Sequence, residues 1–202
     1  MTILRFSTLT AAGFALVLAS TIASAQAPMR VRGTIEAVDG NTVSIKARDG
    51  TPLKLVLADN TVIIAIEKRA LADIKPGVFI GTAAMSEGTG TLRAMEVHIF
   101  PENMRGTGEG HRDWEQPKSS MTNATVEETV RSVDGNTFTL RYKGGEQKVL
   151  VTEQTPIVAY VPGDRSELKA GKAIFIPAAT RAEDGTLRAP RISVERTAPP
   201  PM

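Results

Sequence analysis

Residues 38–46 read "VDGNTVSIK", and residues 133–141 read "VDGNTFTLR". Nearly the same nine residues, 95 positions apart, mark a duplicated unit. The match extends on both sides of the seed. "GTIEAVDGNTVSIKARDG" (33–50) aligns with "ETVRSVDGNTFTLRYKGG" (128–145), and "KLVLADNTVIIAI" (54–66) with "KVLVTEQTPIVAY" (148–160). "ALADIKPG" (70–77) aligns with "RSELKAG" (165–171), and "GTLRAMEVHI" (90–99) with "GTLRAPRISV" (185–194). Four blocks in one order define two copies, 29–100 and 124–195, with a linker at 101–123 and a proline-rich tail at 196–202.

Each copy carries strand periodicity. Val31, Gly33 and Ile35 alternate with Arg30, Arg32 and Thr34, and Val43 and Ile45 alternate with Ser44 and Lys46. Period two places one face inward and the other in water. Asp39-Gly40 and Asp49-Gly50 are turn signals, since glycine accepts the positive φ of a tight hairpin. Leu53, Leu55 and Leu57 make a third strand, and an apolar segment follows at 62–66. Residues 68–74 are the one helical candidate, stopped by Pro76-Gly77, and strands at 78–84 and 91–100 close the copy. Three strands, a short helical link and two strands is the order of an OB-type barrel. The expected fold is all-β: two tandem five-stranded OB-like barrels, each with one short helix, after a cleaved signal peptide.

The first 25 residues carry that signal. One cation, Arg5, precedes an apolar run, and Ala23-Ser24-Ala25 supplies the small residues of a signal-peptidase site. The run is too short to cross a bilayer, which takes roughly 20 apolar residues. The expected compartment is the periplasm or the medium. There is no cysteine, so neither disulfides nor thiolate chemistry is available. The net charge is +2, and loss of Arg5 would leave +1. That balance demands neither nucleic acid nor an anionic membrane.

The pattern "V-x-G-T-I-x-x-V-D-G-N-T", followed by "D-G-T", "L-x-D-I-K-P-G" and "G-T-L-R-A", resembles an exported bacterial family of uncharacterised domains with an OB-like fold. Relatives sometimes carry the label of metal ABC-transporter components. The resemblance implies fold and export, and it brings no catalytic residues. The sequence has no P-loop to support an ATPase.

Candidate sites fall in two places. In the linker, Glu109, His111 and Asp113 alternate and would point one way from an extended chain, offering a divalent transition metal two carboxylates and an imidazole. His98 is a further candidate ligand, although alternation with Val97 and Ile99 puts it, with Glu96, on the wet face. The same linker holds the single tryptophan, Trp114, as an anchor for a partner. On the barrels, OB folds bind polymers on the face of strands two and three. There the outward residues are Lys46, Arg48 and Lys54 in one copy and Arg141, Lys143 and Lys148 in the other. Base stacking wants aromatics, and only Tyr142 is near, so nucleic acid is disfavoured. No catalytic motif occurs. The expected function is a periplasmic, non-enzymatic binding or scaffold protein without a cofactor, its partner a protein or an envelope polymer. The alternative is a metal-binding protein associated with metal transport.

Overall fold

The computed structural model describes residues 27–201 apart from Thr89. The expected signal peptide lies outside the described residues. The chain is all-β, and its strands are β1 (Met29–Asp39), β2 (Thr42–Ala47), β3 (Pro52–Val56), β4 (Val62–Lys68), β5 (Phe79–Ser86), β6 (Thr91–Ile99), β7 (Gly110–Asp113), β8 (Ser119–Ser132), β9 (Gly135–Tyr142), β10 (Gly145–Val151), β11 (Ile157–Pro162), β12 (Ala173–Arg181), β13 (Leu187–Arg188) and β14 (Arg191–Glu195). The helix expected over 68–74 shrinks to one 3-10 turn, Leu71–Asp73: β4 runs on to Lys68, and the backbone is extended at Ala70 and again at Ile74. A matching turn, Arg165–Glu167, occupies the second copy. Among the described residues no helix is long and apolar enough to cross a membrane.

Strand pairing makes two closed rings of five strands. One is β1-β2-β3-β13-β12, closed by β12 on β1; the other is β6-β10-β9-β8-β5, closed by β5 on β6. Neither ring belongs to one sequence copy. Each takes three strands from one copy and two from the other, β12 and β13 in the first ring and β5 and β6 in the second, so 29–100 and 124–195 are not the units that close. The cores say the same. Val31, Ile35, Val43, Ile45 and Leu55 of the first copy pack with Ile174, Ile176, Leu187, Ile192 and Val194 of the second. Ile80, Leu92 and Val97 of the first pack with Phe138, Leu140 and Val149 of the second. Ile74 and Leu168, each ending a 3-10 turn, fill opposite rings in the same fashion.

The crossing is made by β4 and β11, which pair antiparallel from Val158↔Lys68 to Pro162↔Ile64. They sit parallel to β14 and β6 respectively. A four-stranded bridge, β14-β4-β11-β6, thus joins the rings.

The seed motif turns differently in its two settings. In the first copy Asp39 pairs with Thr42 across Gly40-Asn41; in the second Ser132 pairs with Gly135 across Val133-Asp134. The turn therefore sits two residues earlier in the second copy, and the pairing of β8 with β9 is slipped by four residues relative to β1–β2. An even displacement keeps the same face inward. Val126 rather than Val130 takes the place of Ile35, and Val133 is left fully exposed at the tip.

Candidate functional site: an arginine–aromatic cavity between the rings

On one face of the bridge the two rings leave a cavity of about 220 Å³. Its floor includes Ile64 on β4, Tyr160 on β11, Arg191 and Ser193 on β14, and His98 on β6. One wall is Arg30 and Arg32 on β1 with Phe175 and Pro177 on β12; the other is Met121 and Asn123 on β8 with Arg112 on β7 and Trp114 just after it. Two cross-strand rows build this geometry. Arg32 pairs with Phe175, which pairs with Ser193. Asn123 pairs with Gly81, which pairs with His98. The rows occupy corresponding places in the two rings, and their side chains are complementary in size. Phe175 stands over the small Ser193, whereas His98 leans over Gly81. A Cβ on Gly81 would fall 1.9 Å from His98 Nε2 and 2.6 Å from Asn123 Oδ1.

Four guanidinium groups line the cavity, Arg30, Arg32, Arg112 and Arg191, and among the described residues no Asp or Glu side chain does. Three of them lie over aromatic faces. Arg32 lies 4.0 Å from the Phe175 ring centre; Arg30 and Arg112 lie 5.0 and 5.7 Å from that of Trp114. Arg112 also donates to the Gly108 carbonyl, and Arg32 to the carbonyl of Pro201 in the tail. At the rim Glu115 lies 3.4 Å from Arg30 and 3.9 Å from Arg32. Burial lowers the Arg32 pKa, with Glu115 and then Glu96 opposing it, and burial followed by the charge of Arg30 lowers that of Arg112. Guanidinium groups that lose water and face each other bind anions well, since charge-assisted bonds to them are the strong ones.

His98 and Glu96 correct the expectation of a wet face: both are buried, at 5 % and 6 % exposure. The outward face of β6 is covered where the rings meet, with Phe100 and Tyr160 packed against the imidazole at 5.0 and 5.4 Å. Burial, with the charge of Arg112 adding to it, pushes His98 down to about 3, so the ring is neutral at pH 7. Burial, then the charge of Glu96, pushes the Tyr160 phenol up. Three buried polar atoms around the cavity have no protein partner: His98 Nδ1, Asn123 Oδ1 and Trp114 Nε1. Buried polar atoms are normally satisfied, so such a cluster on a cavity wall marks a place where a ligand or water completes the bonding.

The linker is a strand rather than a tether, because β7 pairs with the start of β8 from Gly110↔Asn123 to Asp113↔Ser120. The predicted ligand set does not assemble on it. Glu109 accepts from the Lys143 backbone N–H, His111 Nδ1 lies 2.9 Å from Thr122 Oγ1 and its ring stacks on Tyr142, and His98 is in the cavity with Arg112 beside it. Asp113 is exposed and shares a shallow outer cleft with His111. Among the described residues no group of three or more His, Asp or Glu side chains could hold a metal ion.

The basic stripes are exposed but lie on different rings. Arg141 is neutralised by Glu127 at 2.7 Å and Glu146 at 3.1 Å. Lys46, Lys54, Lys143 and Lys148 are exposed, and Arg48 shares a neighbouring cleft with Arg30 and Arg32. Of the predicted residues, the structure brings Trp114 and His98 together. It adds Arg30, Arg32, Arg112, Arg191, Asn123, Tyr160 and Phe175. One signal for these was available: at aligned positions the copies differ, Arg191 against Glu96 and Ser193 against His98, and duplicated sequences diverge where one copy has a task of its own.

A family model, a domain of unknown function (DUF5666), matches residues 129–193. The match covers most of the second copy, whose strands the structure divides between both rings. No curated protein and no solved structure matches the chain.

Proposed function

We propose that the chain is an exported, non-enzymatic binding protein, built of two OB-type barrels that have exchanged their last strands, and that the cavity between them seats an acidic ligand. The observation that carries the reading is the set of four arginines on one cavity with no Asp or Glu among its described lining residues. A nearly neutral chain that concentrates cations at a desolvated place is organised to receive negative charge there. The parallel closure of each ring, β3 on β13 and β6 on β10, agrees with OB-type barrels. Export is supported by Arg5, the apolar run and Ala23-Ser24-Ala25. The ligand is a small acid or the acidic unit of an envelope polymer, since the cavity holds about one sugar-sized group.

The test is calorimetric titration of residues 26–202 with citrate and with galacturonate at low salt. Binding is expected, weakened at least tenfold in Arg191→Ala and reduced by added salt. Titrations with no heat for either acid, or full affinity in Arg191→Ala, would remove the arginine cavity as the seat.

A further inference from the structure

The arginine cavity does not end at the bridge. A second cavity, of about 700 Å³, adjoins it and shares four lining residues: Ile64, Met104, Tyr160 and Arg191. This chamber has the opposite character. Apart from Arg191 and Asn103 it is lined by apolar groups, among them Val62, Val161 and three prolines. Val62 is one of the few large hydrophobic side chains left in water, at 53 % exposure. The volume lies within the range of cavities that hold small organic ligands. Met104, unbranched and adaptable, stands at the junction and suits a flexible chain.

From this adjacency we infer that the ligand is a single-chain amphiphilic anion: its acid group sits among Arg30, Arg32, Arg112 and Arg191, and its hydrocarbon passes Arg191 into the chamber beside Val62 and Met104. The inference rests on the anion-seat reading and narrows it to free acids carrying an aliphatic chain. Arg191 has a particular place, because among the described residues it is the one cation that lines both cavities. A charge at the mouth of an apolar chamber fixes the polarity of an amphiphile that enters. His98, neutral and with Nδ1 short of a partner, is positioned to donate to the second oxygen, and Asn123 Oδ1 to accept from a hydroxyl near the acid group.

The experiment titrates the intact protein, residues 26–202, with acetate, hexanoate, octanoate and citrate at constant ionic strength, each well below micelle formation. Affinity is expected to rise about fourfold per buried methylene, the factor that corresponds to roughly 0.8 kcal/mol. Val62→Ser, which puts no charge beside its cross-strand partner Arg191, is expected to weaken octanoate more than acetate and so flatten the dependence on chain length. Arg191→Gln is expected to weaken octanoate at least tenfold with an unchanged melting curve. Octanoate no tighter than acetate would overturn the amphiphile, and citrate binding in that same experiment would leave the anion seat standing. Loss of binding to every acid would overturn both. Sedimentation with phosphatidylglycerol vesicles is the remaining arm: capture by vesicles without binding of free octanoate would also overturn the proposal.

Discussion

Gly81 shows how one missing Cβ sets the cavity. The imidazole of His98 occupies the space above it, and Asn123 meets the same spot from the next strand. Gly81→Ala is expected to cost about 1–3 kcal/mol, the usual range for overpacking, because the ring must leave its place between Phe100 and Tyr160. Adding His98→Ser recreates the small partner that Phe175 has in Ser193, and should recover most of the loss in urea unfolding. A double variant no more stable than the single one would show that the ring is not the obstacle. The same histidine sets a pH dependence. Its folded pKa of about 3 lies below the ordinary value near 6.5. Between those values the unfolded chain takes up a proton that the folded chain refuses, so stability falls as pH falls. The slope approaches about 1.4 kcal/mol per pH unit. Comparing urea midpoints of the parent and His98→Gln from about pH 7 to about pH 5 isolates this slope. Parallel curves would mean that His98 is protonated freely in the fold. Alternation alone misplaced this residue: period two says that Glu96 and His98 leave the barrel core, but not that a second ring lies against the outer face.

At the scale of strands, the sequence was readable where information is local. Turn residues and alternation located β1, β2 and β3 and their counterparts β8, β9 and β10, and stop signals bounded the 3-10 turns. Partner choice was not readable, because a duplicated chain offers each strand two chemically similar partners. β12 fits β1 for the same reason that β5 would, and periodicity carries no label of origin. What decides is the segment between the third and fourth strands of each copy. Residues 62–66 are apolar enough to pair with their own counterpart across the bridge, and once β4 lies along β11 the chain has already passed to the other ring. A fragment of residues 27–100 therefore has no second copy to exchange with, and its β1–β3 lack the strands that close them. It is expected to recover them from another molecule, as a strand-exchanged homodimer. Light scattering after size exclusion, with far-UV circular dichroism, reads the outcome. A folded monomer would show that a single copy closes its own ring.

Over the whole molecule, the tail completes what the bridge begins. Arg196 pairs with Glu67 on β4 at 2.7 Å and with Glu167 beside the second 3-10 turn at 2.6 Å, and it donates to the Pro162 carbonyl on β11. The backbone N–H groups of Arg196, Thr197 and Ala198 all reach the Ile66 carbonyl, and Ala198 packs with Ile64, Ile66 and Val158. From this root the prolines run to the arginine cavity, where Pro201 is buried and its carbonyl accepts from Arg32. Residues 199–201 are all proline and contribute no N–H, so they offer the cavity acceptors alone. On the anion-seat proposal, the Pro201 carbonyl occupies a bonding position on Arg32 that an acid would take. The root and the tip should therefore separate in effect. Arg196→Ala, which breaks a bidentate, half-buried network, is expected to lower stability by about 1 kcal/mol, measured by urea unfolding. Deleting residues 199–202 leaves the root intact and should leave the melting curve nearly unchanged. It frees Arg32, and citrate affinity should rise severalfold, since a ligand no longer has to displace the Pro201 carbonyl. Unchanged affinity in that truncation, with Arg196 still in place, would mean that the tail covers the bridge without competing for its arginines.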